Sequence, residues 1–361
     1  MTLSMKTRPL GASGLDVGVL GLGGAPLGDF SELIPEDRAA ATLEAAWAAG
    51  IRYFDTAPWY GLGLSEHRVG RFLRDKPKAE YVLSTKVGRL LRPWPPRYGP
   101  RVPRSIWAEP LSFEVRFDYS YDGIIRSYED SLQRLGLAEV DILLIHDLDR
   151  MYHSPEGSYQ ARLGQLTNGG FAALRDLRTD GKIGAIGAGI NTAGVITDLL
   201  DRFDLDLFLV AGPYTLLNQE IFQTELDRCD KAGIRIVIGA AFRYGLLAMG
   251  ARDRERNPPA NVDAETLERV TRLDAACTRS GVALPAAALQ FPAAHPAVAA
   301  VLFGAIDASQ VDQAISWFDV GIPASLWHDL KDQGLLPRLV PVPEAGPDVA
   351  TPASEDLRTA R

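Results

Sequence analysis

Short β-like runs alternate with helix-length segments along most of this chain, and that rhythm leaves few folds open. The runs fall at residues 19–23, 53–55, 81–86, 141–146, 185–187, 207–210, 234–238 and 300–303, eight in all. Helical segments lie between and after them at 37–49, 65–73, 122–135, 170–180, 193–201, 219–232, 264–280 and 309–318. A β-then-α alternation gives parallel strands with helices covering the sheet. Eight such units fit an α/β fold of the closed (β/α)8 TIM barrel type better than an open doubly wound sheet of about five or six strands. Gly50, Gly136, Gly181 and Gly233 each follow a helical run by about one residue, where a left-handed residue closes the last turn. They read as helix stops.

Two segments break the rhythm. Residues 87–121 form a loop with Pro93, Pro95, Pro96, Pro100, Pro103 and Pro110 beside Trp94 and Trp107. Its aromatic side chains favour a packed binding wall over a disordered insertion. The tail at 337–361 carries five prolines in 25 residues and is expected to be unstructured. A count of 361 residues would allow two domains, but barrels of this kind run past that length as one, so a single domain over 1–336 is expected.

Composition removes several classes of function. Lys plus Arg number 38 against 46 for Asp plus Glu, a net charge of −8, with no Lys/Arg block, which argues against a nucleic-acid surface. The two cysteines, Cys229 and Cys277, have no CxxC spacing, so neither a disulfide framework nor a thiolate zinc site is indicated and a reducing compartment is expected. Residues 1–10 lack the apolar core of a signal peptide, and the apolar stretch 297–306 is half the length a bilayer requires. The expectation is a cytoplasmic protein without a membrane span, monomer or homo-oligomer, acting on a small molecule.

Barrel enzymes carry their reactive groups at the C-terminal ends of the strands. Strand two ends in Asp55, with Tyr60 five residues on in DTAPWYG; strand three ends in Lys86 (VLSTKVG); strand four ends in His146 (ILLIHDLD). A Lys at the buried end of a strand needs a partner, and Asp55 is the nearest candidate. A phenol beside that ammonium is expected to have its pKa pulled below the usual value of about 10, making Tyr60 a proton donor or acceptor near neutral pH. His146 could hydrogen-bond a substrate oxygen. Any one of these residues alone is more often a satisfied structural group. Their joint placement on three successive strands suggests a site that polarises a carbonyl or deprotonates a hydroxyl while a second agent supplies or takes hydride.

The string His146-Asp147-Leu148-Asp149 could also suggest a barrel metal hydrolase. The other histidines, His67, His153, His295 and His328, end no strand and there is no HxH, so no metal is expected. A full GxGxxG is absent. An anion site could still form after strand eight, where residues 304–309 lead into a helix with free amides. Trp59, Trp94, Trp107 and Arg89 could wall a substrate pocket.

The segments FDTAPWYGLGLSEHRVG, LSTKVGR, DILLIHDLD, IGAIGAGIN and GPYTLLNQ, in this order and spacing, resemble the aldo-keto reductase superfamily over about residues 10–318. KVGRLLRPW, DYSYDGIIRSYEDSLQRLGL and IHDLDR are most similar to its branch of NAD(P)-linked sugar dehydrogenases, the L-fucose or D-threo-aldose 1-dehydrogenases, which includes pyridoxal 4-dehydrogenases. The resemblance implies that Tyr60 transfers the proton, that Lys86 and Asp55 tune it, and that His146 orients the substrate oxygen. It also implies cofactor contacts at Asn191, Phe242, Gly304, Ala305 and Gln310, with residues 243–247 near a pyrophosphate. NADP-preferring relatives carry Lys or Arg after strand eight, whereas residues 304–314 here hold Asp307 and Asp312 and no basic residue, so NAD is expected rather than NADP. The implied reaction is oxidation of an aldose such as L-fucose, L-galactose or D-arabinose at C1 to the lactone. Pyridoxal oxidation and general aldehyde reduction are the enzymatic alternatives, and a non-catalytic nucleotide-sensing subunit is the alternative of another class.

Overall fold

The computed structural model describes residues 6–30, 32–95, 106–249 and 262–344. An antiparallel pair, β1 (Thr7–Pro9) and β2 (Asp16–Gly18), precedes the first barrel strand. Eight parallel strands then close into a ring: β3 (Leu20–Gly23), β4 (Tyr53–Asp55), β5 (Val82–Val87), β8 (Ile142–His146), β9 (Ala185–Ile190), β10 (Leu207–Ala211), β11 (Arg235–Gly239) and β12 (Val298–Phe303), which pairs back with β3. These are the eight runs expected from the sequence. Small boundary shifts remain: the run at 185–187 continues to Ile190, and the run at 81–86 moves to Val82–Val87.

Alternation along the strands separates two apolar layers. Tyr53, Ile142, Leu144, Ala185, Leu207, Leu209, Val237, Ala300 and Leu302 fill the ring, and Leu10 and Val17 of the N-terminal segment join them. The intervening residues, among them Phe54, Leu83, Leu143, Ile145, Ile186, Phe208 and Ile238, belong to the outer layer under the helices. A side-chain period of two then dictates what happens at the upper end. Asp55 shares the parity of Tyr53, His146 that of Ile142 and Leu144, and Lys86 that of Ser84, so all three polar side chains turn inward where the apolar filling stops.

Seven of the expected helices are found within a residue or two of their predicted limits, from Glu36–Ala48 to Ala308–Asp319. The expected helix at 219–232 is shorter, because Phe222–Leu226 forms a wide π turn and regular helix is confined to Asp227–Ala232. Three helices that the sequence pattern does not announce are also present: Glu156–Gln165, Leu284–Gln290, which packs against Ala264–Arg279 and Ala308–Asp319, and Ala324–Asp332, which packs against Ala264–Arg279. Gly50, Gly136, Gly181 and Gly233 hold φ of 89°, 63°, 69° and 72°, as helix stops require.

The expected loop at 87–121 contains an antiparallel hairpin, β6 (Arg89–Pro93) with β7 (Phe113–Phe117), in the register Arg89↔Phe117. Residues 96–105, which include Pro96, Pro100 and Pro103, lie outside the described residues. So do residues 345–361 of the expected tail, although Val340 before them is buried.

Helix Leu64–Leu73 lies very close to helix Tyr121–Leu135: a Cβ placed on Gly70 would stand 2.0 Å from the backbone oxygen of Leu135. Gly70→Ala must therefore push the helix backbones away from each other rather than bend a side chain. It is expected to cost about 1–3 kcal/mol, read as a fall of several degrees in Tm by circular dichroism.

Candidate active site

Every group at the mouth is fixed by what lies beneath it. Lys86 Nζ donates to Asp55 Oδ2 at 2.6 Å, to the carbonyl oxygen of Thr56 at 2.9 Å and to Tyr60 Oη at 3.1 Å, so its three protons all have acceptors. Ser84 Oγ donates to Asp55 Oδ1 at 2.7 Å and anchors the carboxylate from the far side. Burial disfavours the ammonium, yet Asp55 and Tyr60 outweigh it and the Lys86 pKa is raised. Tyr60 itself sits on a tight turn after β4. Gly61 there holds φ 63°, and its backbone packs so closely on Gly28 that a Cβ would lie 2.7 Å from the Gly28 oxygen.

The Tyr60 phenol departs from expectation. Desolvation is the largest influence and pushes its pKa up to about 12; Lys86 pulls it down, while Asp55 and Asp147 push it up. The expected depression below the usual value is therefore overturned. A neighbour that is itself neutralised by Asp55 does not compensate for removing a phenolate from water.

His146 presents its ring edge-on to Tyr60, with centroids 6.1 Å apart. Burial, then Arg89 and Lys86, hold it neutral by lowering its pKa well below the ordinary value. Tyr119 Oη donates to the His146 carbonyl oxygen at 2.7 Å and braces that strand end.

Of the four expected wall residues, three come together. The Arg89 guanidinium lies over the Trp59 ring at 4.2 Å, with Tyr152 at 4.6 Å and Phe117 at 4.8 Å, and pairs with Asp147. Trp107 packs edge-on against Trp59 at 5.3 Å and near Tyr60 at 5.8 Å. Trp94 is placed further along the hairpin, where its backbone N–H donates to Ser112. Sequence reasoning missed Tyr152, Phe30 and Asp147. Phe30 touches Trp107 at 5.7 Å and stacks on Tyr244 at 6.2 Å, joining the loop after β3 to the loop after β11. Only the adjacency of Asp147 to His146 could signal it, and that string reads in sequence as a metal motif.

The expected cofactor residues occupy the same rim. Asn191 Nδ2 donates to Asp147 Oδ1 at 2.7 Å, while its backbone N–H and that of Thr192 donate to Asp149 Oδ2. Phe242 packs edge-on against Trp317 at 5.8 Å, on the outer helix Ala308–Asp319. After β12, the Ile306 N–H donates to Gln310 Oε1 and the Gln310 N–H to Asp307 Oδ1. The idea of wholly free amides there is corrected: two already serve the turn itself, because Asp307 caps its own helix.

Two observations fit a nicotinamide dinucleotide on this rim. Gly189 turns inward beside Lys86, and the nearest atoms a Cβ there would meet, on Lys86 and the Ile145 carbonyl oxygen, stand 3.8–4.0 Å away, so room remains over that strand end. In the loop after β11, Ala240, Arg243 and Tyr244 all hold positive φ, of 52°, 50° and 56°, and the Arg243 guanidinium lies against Gly212. Strained backbone of this kind clusters at ligand clamps.

Residues 19–332 match the aldo/keto reductase family. The chain is 42% identical over 338 residues to a pyridoxal 4-dehydrogenase of Microbacterium luteolum, covering 92% of this chain and 98% of that protein. It is 39% identical over 335 residues to a D-threo-aldose 1-dehydrogenase of a Pseudomonas species, covering 92% and 99%. Among solved structures, an aldo-keto reductase of Bacillus halodurans superposes with a TM-score of 0.70 at 23% identity, covering 92% of this chain and 96% of that one, which speaks to the fold alone. No helix among the described residues is long and apolar enough to cross a membrane. With family match, closed barrel and named dehydrogenase relatives in agreement, the chain belongs to the aldo/keto reductase family and is an NAD(P)-dependent oxidoreductase.

Proposed function

We propose that this protein oxidises the anomeric carbon of an aldose of the L-fucose, L-galactose or D-arabinose type to the lactone with NAD. The observation that carries the reading is the hydrogen-bonded series Asp55–Lys86–Tyr60 ending beside the neutral ring of His146. Tyr60 Oη, ionised and held as the phenolate by a charge-assisted hydrogen bond from Lys86, takes the proton of the C1 hydroxyl and becomes the neutral phenol as hydride leaves C1. His146 orients the same oxygen. A nicotinamide dinucleotide, when bound, supplies the acceptor for the hydride leaving C1. Asn191, Gly304, Ala305 and Gln310, with Arg243, are the residues that would hold it.

Charge balance in the mouth supports an uncharged substrate, since Lys86 is matched by Asp55 and Arg89 by Asp147. Aromatic faces at Trp59, Trp107 and Tyr152 suit the C–H face of a sugar. Pyridoxal is the second reading, favoured by the relative of that name at 42% identity. Its aldehyde can close on the neighbouring hydroxymethyl group, so both readings share one reaction, a cyclic hemiacetal carbon becoming a lactone. Asp307 at the helix start after β12 disfavours a 2′-phosphate. The nearby cation, Arg38, is already paired with Glu32.

A spectrophotometric NADH assay against aldoses, pyridoxal and simple alcohols tests the activity. Turnover of a cyclic hemiacetal is expected, and NAD binding without turnover of any substrate would favour a nucleotide-sensing subunit instead. Tyr60→Phe should lower kcat by about 10²–10⁴-fold while leaving NAD affinity within a few-fold; wild-type turnover would contradict the assignment. With the phenol at about 12, oxidation should accelerate into the alkaline range, and Lys86→Met should move that rise to still higher pH by removing the group that lowers the phenol pKa. An unchanged profile would make Lys86 structural. Steady-state kinetics with both cofactors should give the lower KM for NAD, and the reverse order would overturn the charge argument.

A further inference from the structure

One carboxylate of the mouth stands apart from the Tyr60–Lys86–Asp55 series. Asp147 follows His146 where β8 ends, and its backbone turns to φ 51°, a left-handed conformation that Asp adopts more readily than most residues. Its side chain, 8% exposed, gathers three segments of the chain. Oδ2 accepts from Arg89 Nη2 on the hairpin and lies 3.1 Å from His146 Nε2, while Oδ1 accepts from Asn191 Nδ2 after β9.

This geometry has a chemical consequence for His146. A carboxylate paired with a guanidinium can only accept, so Oδ2 at 3.1 Å favours the tautomer with the proton on Nε2, the ring nitrogen left to meet the substrate oxygen because Nδ1 is buried. Nδ1 is then a bare lone pair, and it is buried without a hydrogen-bond partner among the described residues. Arg89 has no freedom to leave, because three aromatic rings surround its guanidinium.

We propose that Asp147 is a positioning residue that fixes the tautomer and ring orientation of His146 and ties the Arg89 substrate wall to Asn191 on the cofactor side. The proposal rests on the reading of Tyr60 and His146 given above. It predicts an effect on the chemical step that separates from binding, and a second effect through charge. Tyr60 faces Lys86 and Asp55 from β5 and β4, and the His146 ring and Asp147 from the end of β8, with the phenols of Tyr53 and Tyr152 also within electrostatic reach. Removing the Asp147 charge lets the phenol ionise at lower pH.

The test is Asp147→Asn in the full chain, assayed for kcat against pH and for NADH binding by fluorescence. The expected result is a loss of kcat of about 10–100-fold, NADH affinity within about threefold of wild type, and the alkaline rise moved to lower pH. Because Asn leaves the buried Arg89 without its counter-charge, the double variant Arg89→Met/Asp147→Asn is measured beside it, and the loss of kcat should persist there. Wild-type kcat and pH profile in Asp147→Asn would overturn the proposal. So would a loss of kcat matched by an equal loss of NADH affinity in both variants, which marks a structural role. If Asp147→Asn behaves as wild type while Tyr60→Phe is inactive, only this proposal fails; if Tyr60→Phe itself keeps full turnover, the underlying reading fails first.

Discussion

The site depends on one buried ion pair. Lys86 and Asp55 are 2% and 3% exposed, and moving either into the barrel alone would be strongly unfavourable. Their 2.6 Å contact, the Thr56 carbonyl and the Ser84 hydroxyl together satisfy both charges, and the one donor direction left on the ammonium is given to Tyr60. The pair can exist only because β4 and β5 are neighbours with Asp55 opposite Ser84, two residues from Lys86. Closure of the ring thus comes before the chemistry. A slip of one residue between these strands would turn the ammonium out toward the helices and leave the carboxylate buried by itself.

Around that pair the mouth is organised by burial more than by charge. Desolvation dominates the behaviour of Tyr60, His146 and Asp147 alike, raising the acids and lowering the imidazole. The result is a floor of mostly neutral groups above two matched ion pairs. Aromatic side chains from four separate loops complete it: Phe30, Trp59, Trp107 and Tyr152. Inward glycines at the ends of β3, β9 and β11, Gly23, Gly189 and Gly239, leave space above the apolar filling. Such a site orients a polar, uncharged molecule by a few hydrogen bonds and excludes water from the atom that changes oxidation state.

Local rules read the barrel well. Strand parity brought Asp55, Lys86 and His146 to one face, and glycine at the helix ends marked the stops, because both follow from backbone geometry that neighbouring residues determine. The rules failed where distant segments decide. The hairpin Arg89–Pro93 with Phe113–Phe117 looks in sequence like a proline-rich loop, since nothing within either run names its partner. The wide turn at Phe222–Leu226 interrupts a segment whose pattern is helical throughout. Asp147 is hidden as a site residue because its side chain direction comes from a left-handed turn after the strand, where alternation no longer applies.

The sequence by itself determined the eight-fold βα rhythm, the inward parity of three polar strand ends and the family to which their motifs belong. Tertiary structure alone decided how those groups behave. Depth of burial reversed the expected direction of the Tyr60 shift, a self-capping Asp307 occupied amides that looked free, and an aromatic cage fixed Arg89 on Asp147. Each of these is a matter of which atoms lie within a few ångströms across the fold, and of how much water is kept from them. Residue order specifies those contacts only through the closed ring that brings them together.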